Sequence, residues 1–267
     1  MYLGNFIKNI GKKYSKLEFS GIAFDSRKVK KNYIFFAING NKLNGYDYIA
    51  DAINNGAKII ISEKSIKLNK KNITSIISKN PRKLLSELTY KFLIKKPKKL
   101  VAVTGTNGKS SVSDFYYQIL SLNKKKSASI GTIGVQFENK KKGISNTTLD
   151  PIKLKEIINY LLKNNINNII LEASSHGLKQ NRLDGLNFDI GVFTNLSHDH
   201  MDYHKNIRDY QNSKLYLFKQ LIKKNGVIIT DDAIPQHRLL KKLAEKKKIK
   251  LLTVLSQNSN LELLSHR

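Results

Sequence analysis

The sequence contains no cysteine, which excludes disulfides, thiolate zinc sites and cysteine nucleophiles. Acidic residues are scarce: 20 Asp and Glu stand against 48 Lys and Arg, giving a formal net charge of +28. The excess is mostly lysine and is spread along the whole chain, with short clusters at 124–126 and 246–248 between ordinary apolar segments. A long basic arm and an interleaved aromatic-basic motif of the RNA-binding kind are both missing. The charge therefore reads as a diffuse solvated surface that favours polyanionic ligands, and no nucleic-acid partner is expected. No apolar run approaches the ~20 residues of a membrane-spanning helix. The N-terminal "MYLGNFIKNIGKKY" lacks the long apolar core and small-residue cleavage site of a signal peptide. A cytoplasmic protein with no membrane span is the expectation.

What is present is enough apolar material, 40% of 267 residues, for one large domain or two ordinary ones. Up to about residue 94, short strand-like and helix-like stretches alternate. "YIFFAI" (33–38) and "KIIISE" (58–63) read as buried strands. Residues 46–57 carry Ile49 and Ile53 at helical spacing and stop at Gly56, and 80–93 reads as a helix with proline in its first turn. The charged, proline-containing "IKKPKKL" (94–100) marks a domain boundary, dividing the chain into 1–96 and 97–267. Beyond it, apolar runs at 100–105, 167–174, 188–196 and 225–232 alternate with helical patterns at 110–122, 151–163 and 207–223. That alternation indicates an α/β fold with a largely parallel sheet. The final stretch, 251–267, suggests no role.

"VAVTGTNGKSSV" (101–112) runs from a buried strand through a Gly-rich turn into a helix, the geometry in which backbone amides face phosphate oxygens. Gly105 and Gly108 permit close backbone approach, Lys109 can reach the β- and γ-phosphates, and the Ser110 hydroxyl can bind Mg²⁺. The general phosphate-loop pattern requires a glycine where Val103 stands; the alternative is a plain strand-to-helix turn. Glu172 ends the next apolar run and is followed by hydroxyls, His176, Gln180 and Arg182, at the sheet edge where ligands bind in open α/β folds. It is a candidate Mg²⁺ ligand, the alternative being an ordinary polar connection. "FTNLSHDHMDYH" (193–204) packs His198, Asp199, His200, Asp202 and His204 together. Without Cys or the helical His-Glu-x-x-His spacing, a Mg²⁺-nucleotide site with one His ligand fits better than zinc. Lys214, taken by itself, reads as one more solvated helix lysine.

"VAVTGTNGKSS", "NTTLDP", "LEASSHGLKQNRLDGLNFDIGVFTNLSHDHMDYH" and "YQNSKLYLF", in this order, resemble the Mur ligases of peptidoglycan precursor synthesis. Within them the nearest resemblance is to the branch that adds the third amino acid. Upstream, "FDSRKVKKNYIFFAINGNKLNGYDYIADAINNGAKIIISE" is similar to the uridine-binding N-terminal domain of that branch, and the resemblance spans roughly residues 20 to 235.

The resemblance implies an ATP-dependent ligase acting on UDP-N-acetylmuramoyl-L-alanyl-D-glutamate through an acyl phosphate that a diamino acid then attacks. It implies that Asp25, Ser26, Asn41, Lys42 and Leu43 hold the uridine diphosphate end. Gly105, Thr106, Asn107, Gly108, Lys109, Ser110 and Ser111 hold the ATP phosphates. Thr147, Thr148, Ser174, Gln180 and Arg182 position the muramoyl-dipeptide. Ser110, Glu172 and His200 bind Mg²⁺, and Lys214 matches the lysine that becomes a carbamate and helps place the metal. Lys109, Glu172, His200 and Lys214 are then the catalytic set, and a monomer is expected.

The family also carries a C-terminal Rossmann-like domain with an Asp-Asn-Pro-Arg motif, which has no counterpart here, so the chain reads as a fragment or truncated product. The choice between lysine and diaminopimelate stays open. Three other readings remain: another Mur ligase or a folylpolyglutamate synthetase-like enzyme, an inactive UDP-sugar-binding protein, and a basic nucleic-acid-binding phosphate-loop protein.

Overall fold

A computed structural model describes residues 1–7, 10–40, 43–68 and 72–254. The chain divides into two compact units, one ending at Phe92 and the next beginning at Leu93.

The first unit holds a parallel sheet of β1 (Gly21–Ala23), β2 (Tyr33–Phe36), β3 (Ala57–Ser62) and β4 (Thr74–Ile77), in that spatial order. Its helices are α1 (Lys12–Ser15), α2 (Ile49–Asn54) and α3 (Pro81–Tyr90). Three consecutive isoleucines of β3, Ile59, Ile60 and Ile61, are all buried, as expected of a strand covered on both faces. Pro81 opens α3, and the Asn80 side chain accepts from the Lys83 amide, a proline-and-cap start. The helix expected over 46–57 is shorter. Residues Gly45–Tyr48 form a 3₁₀ turn, with Asn44 accepting from the Tyr46 amide, and α-helix begins only at Ile49. Gly56, with φ +108°, then turns the chain into β3.

The second unit is built on β5 (Lys99–Thr104), β6 (Ser127–Gly131), β7 (Gly134–Phe137), β8 (Lys140–Lys142), β9 (Asn168–Glu172), β10 (Phe188–Phe193), β11 (Ile222–Asp231) and β12 (Lys250–Val254). Its helices are α4 (Lys109–Leu122), α5 (Pro151–Lys163), α6 (Ser175–Lys179), α7 (Ile207–Tyr216) and α8 (His237–Lys247). A π-helical turn, Leu217–Leu221, follows α7. The strand order is β12-β11-β10-β5-β9-β6-β7-β8. From β12 to β6 every pairing is parallel; β6-β7 and β7-β8 are antiparallel. β12 gives residues 251–254 of the unassigned final stretch a place, paired in parallel with β11; residues 255–267 lie outside the described residues.

β5 sits between β9 and β10, buried from Leu100 to Thr104. Val101 and Val103 pack with Ile170 of β9, and Val112, Tyr116, Ile190 and Val192 close over them. The connection after β5 leads through α4 to β6 on one side, whereas β10 lies on the other. The carboxyl end of β5 is thus a topological switch point, where the crevice of an open α/β sheet takes its ligand.

Candidate active site

β5 delivers the chain to Gly105, and α4 starts at Lys109. A Cβ on Gly105, whose φ is +150°, would lie 1.9 Å from Thr194 Oγ1, and Gly108 caps α4 with φ +82°. The segment after β10 fixes the loop between them. Thr106 N–H donates to the Asn195 carbonyl (2.9 Å) and Asn107 N–H to Asn195 Oδ1 (2.9 Å). Thr194 Oγ1 donates to the Asn107 carbonyl (2.6 Å), and Ser197 N–H donates to Thr106 Oγ1 (2.9 Å). The first amides of α4, at Lys109, Ser110 and Ser111, have no acceptor one turn back in the helix. Together with the helix dipole they make an anion-receptive end.

Two lysines meet on one oxygen of this loop. Lys109 Nζ donates to the carbonyls of Gly105 (3.0 Å) and Thr106 (2.7 Å). Lys214 Nζ, from α7, donates to the same Gly105 carbonyl at 2.6 Å. Lys214 is 1% exposed, which corrects its reading as a solvated helix lysine. One turn earlier on α7, Tyr210 is fully buried and places its ring 4.4 Å beneath the Lys214 ammonium, while its hydroxyl lies 3.1 Å from Thr106 Oγ1. Burial, reinforced by the Lys109 charge, pulls the Lys214 ammonium down to about 7. Burial also lowers Lys109, against the opposing pull of Glu172 and Asp199.

Glu172 ends β9, beside β5, and is 1% exposed. Its carboxylate accepts from Thr132 N–H (2.9 Å) and Thr132 Oγ1 (3.1 Å) in the β6–β7 turn. Hard oxygen donors of this kind, a buried carboxylate and the Ser110 hydroxyl, suit Mg²⁺. Among the described residues no group of three His, Asp or Glu side chains is placed to hold a metal ion.

The histidine-rich segment folds around α6 and α7. His200 is exposed, holds φ +56° and lies 3.4 Å from Asp199 through Nε2. His204 is buried instead, with Nε2 3.0 Å from Ser175 Oγ and Nδ1 3.4 Å from Asp209; burial first, and the Lys179 charge second, lower its pKa. Asp209 also takes Lys179 Nζ at 2.5 Å, which ties α6 to α7. His176 stacks on Tyr203, with ring centroids 3.9 Å apart.

The hydroxyl and amide residues beyond β9 form one network. Thr148 Oγ1 donates to the Glu172 carbonyl (2.8 Å) and accepts from the Ser174 amide (2.9 Å). Ser174 caps α6 by accepting from Gly177 N–H. Gln180 Oε1 accepts from Arg182 Nε (3.1 Å) and Nη2 (2.8 Å), and Arg182 Nη1 also reaches the Thr148 carbonyl. Thr147 Oγ1 stands 3.0 Å from Thr132 Oγ1.

The structure thus gathers 105–111, Glu172 and Lys214 at the carboxyl ends of β5 and β9. It groups Thr147, Thr148, Ser174, Gln180 and Arg182 beside Glu172, and His200 follows β10. Asp25, Ser26 and Leu43 lie in the first unit. There Asp25 makes a two-pronged pair with Arg27 (2.9 Å to both Nε and Nη2), and that guanidinium holds its carboxyl below the usual range. Ser26 is buried and Leu43 is 64% exposed; Asn41 and Lys42 lie outside the described residues. Sequence reasoning passed over Tyr210 and Thr132. The first could be found from its position four residues before Lys214, on the same helix face. The second lies in Gly-Thr-Ile-Gly, a two-residue turn flanked by glycines.

Two family models match the chain: "Mur ligase middle domain" over residues 103–265 and "Mur ligase family, catalytic domain" over residues 18–93. The UDP-N-acetylmuramoyl-L-alanyl-D-glutamate--2,6-diaminopimelate ligase of Wigglesworthia glossinidia brevipalpis is 40% identical over 235 residues, covering 85% of this chain and 47% of that protein. The protein of the same name from Rickettsia bellii (strain RML369-C) is 40% identical over 247 residues, covering 90% and 50%. A solved structure titled for the same ligase superposes with a TM-score of 0.83 at 28% identity, covering 97% of this chain and 54% of that one. The chain spans about half the length of the curated relatives it matches.

Proposed function

Because this chain belongs to the Mur ligase family, we propose that it carries the nucleotide- and substrate-binding parts of a ligase joining 2,6-diaminopimelate to UDP-N-acetylmuramoyl-L-alanyl-D-glutamate. The observation that carries this reading is the meeting of Lys109 and the buried Lys214 on the Gly105 carbonyl, next to the strand that ends in Glu172. The relatives named above, both 2,6-diaminopimelate ligases, favour diaminopimelate over lysine.

In this reading residues 1–96 hold the uridine diphosphate end, through Asp25, Ser26, Asn41, Lys42 and Leu43, and 97–267 hold ATP. The phosphates lie on the amides of 105–111. Lys109, which folds back on its own loop, exchanges those carbonyls for phosphate oxygens. Thr147, Thr148, Ser174, Gln180 and Arg182 hold the muramoyl-dipeptide so that a carboxylate oxygen of its D-glutamate faces the γ-phosphorus. That oxygen bonds to phosphorus as the bond to the β–γ bridging oxygen breaks, releasing ADP. The diaminopimelate amine then attacks the acyl carbon, loses a proton and expels inorganic phosphate, leaving the amide. Such transfer depends on positioning and charge neutralisation more than on covalent help from the protein.

Ser110, Glu172 and His200 would hold Mg²⁺, which supplies neutralisation of the phosphate charge when bound. Lys214, with its pKa near 7, has a substantial share of neutral amine at physiological pH. That is the form whose nitrogen adds to the carbon of CO₂ and releases a proton, giving an anionic carbamate. A monomer in the cytoplasm is the accompanying expectation; no helix of the described residues is long and apolar enough to cross a membrane.

The test mixes the 267-residue chain with Mg-ATP, UDP-muramoyl-dipeptide and hydroxylamine, which converts an acyl phosphate to a stable hydroxamate. A hydroxamate that requires both ligands is expected. Binding of both ligands without hydroxamate would reduce the chain to a binding protein. Binding of neither, alongside salt-dependent binding of random DNA, would replace the ligase with a nucleic-acid module.

A further inference from the structure

The β6–β7 turn is not used in the reading above, yet it is built around the Glu172 carboxylate. Thr132 occupies both oxygens: its N–H donates to Oε1 at 2.9 Å and its hydroxyl to Oε2 at 3.1 Å. The same hydroxyl lies 3.0 Å from Thr147 Oγ1. A hydroxyl carries one proton. With that proton on Glu172, the Thr147 hydroxyl must donate to Thr132, so the chain runs from Thr147 through Thr132 to the carboxylate. Hydrogen bonds in such a chain polarise and strengthen one another.

The preceding residue completes the cradle. A Cβ on Gly131 would fall 2.1 Å from Glu172 Oε1 and 2.5 Å from its carboxyl carbon, so only glycine lets the carboxylate lie against the end of β6. Thr132 itself is exposed. Its hydroxyl is not needed to close the hairpin, which pairs Gly131 with Gly134 through the backbone. Each carboxylate oxygen still has lone-pair capacity for a cation on its other side.

We propose that Thr132 is a positioning residue, one that aims Glu172 and links it mechanically to Thr147. The cation side and the muramoyl side of the site would then be set by one hydroxyl. The inference rests on the proposed roles of Glu172 as a cation ligand and Thr147 as a substrate contact. Outer partners of metal-bound carboxylates commonly alter metal affinity by about 10- to 100-fold.

The experiment compares the full chain with Thr132→Val and Thr132→Ser. Mn²⁺ uptake in the presence of ADP is followed by electron paramagnetic resonance, and UDP-muramoyl-dipeptide binding by calorimetry. Thr132→Val should weaken Mn²⁺ uptake on the order of 10-fold and weaken the dipeptide ligand measurably, with the native circular dichroism spectrum retained. Thr132→Ser, which keeps the hydroxyl, should behave as the unsubstituted chain. In the double variant with Thr147→Val, the loss of dipeptide affinity should not exceed that of Thr147→Val alone. Unchanged Mn²⁺ uptake in Thr132→Val, an equal loss in Thr132→Ser, or full additivity with Thr147→Val would each overturn the positioning role. If the unsubstituted chain takes up neither Mn²⁺ with ADP nor the dipeptide ligand, the proposed function itself fails. If it takes up both and Thr132→Val does too, only the present inference fails.

Discussion

Lys109 and Lys214 donate to the same carbonyl oxygen, that of Gly105, at 3.0 and 2.6 Å. Two ammonium groups on one neutral acceptor is an arrangement that calls for an anion. The loop holds them together because α7 packs its buried face, Tyr210 and Lys214 included, beneath the turn that follows β5.

The first consequence concerns pH. An unfolded Lys214 titrates near 10.5 and the folded one at about 7. Between those values the unfolded chain binds the extra proton, so stability contributed at this site rises with pH across the window. Below pH 7 the full penalty of burying the ammonium is present. Lys214→Met should therefore melt at a higher temperature than the unsubstituted chain at pH 7, with the difference shrinking toward pH 10. Melting curves followed by circular dichroism check this; a difference independent of pH would contradict it.

Lys109→Ala should cost Mg-ATP affinity roughly 10- to 100-fold, the worth of a hydrogen bond to a charged group. UDP-muramoyl-dipeptide affinity should be largely retained. Calorimetric titration with each ligand separates the two, and equal loss of both would contradict the assignment of the loop to ATP.

Gly105→Ala forces a methyl group onto Thr194 Oγ1, 1.9 Å from its ideal position, at a φ of +150°. The strand–loop junction would have to shift, with a destabilisation of about 1–3 kcal/mol and loss of nucleotide binding. Chemical denaturation and ATP titration read the two effects. A variant that binds ATP normally would mean that the loop adapts without Thr194.

Tyr210→Phe removes only the hydroxyl that faces Thr106 Oγ1 and keeps the ring beneath Lys214. Because Ser197 N–H still donates to Thr106 Oγ1, the expected loss is modest, about 1 kcal/mol. Tyr210→Ala also empties a fully buried ring site and should lose about 3–5 kcal/mol. Urea denaturation of the two variants distinguishes the hydroxyl from the ring.

The phosphate loop is legible in the sequence because its signal is local: an apolar strand, two glycines that only glycine geometry permits, and a helix start, all within twelve residues. The parallel core is legible from its apolar runs. The antiparallel edge is not. "ENKKKG" has no apolar pattern, and it leads into β8 because Glu138 and Asn139 both adopt left-handed angles, φ +46° and +58°, the tight turn that folds a chain back on its neighbour. Lys214 is illegible by chemistry alone. Exposed lysine is the rule, and the acceptor that keeps this one inside lies far away in the chain. Glu172 shows itself at a strand end, but its partner Thr132 is 40 residues earlier, in a turn with no apolar pattern to mark it.

The stitching of the 105–108 loop to Thr194, Asn195 and Ser197 has a bearing on biosynthesis. A nascent chain that has emerged only as far as α5 already carries the Gly-Lys-Ser sequence and Lys109, yet lacks Thr194, Asn195, Ser197 and Lys214, the groups that reach the loop from later in the chain. Long-range closure of this kind is slow relative to local helix formation. The nucleotide cradle is therefore a late product of folding, completed when β10 docks beside β5, and ATP added during refolding should bind in step with that docking and no sooner.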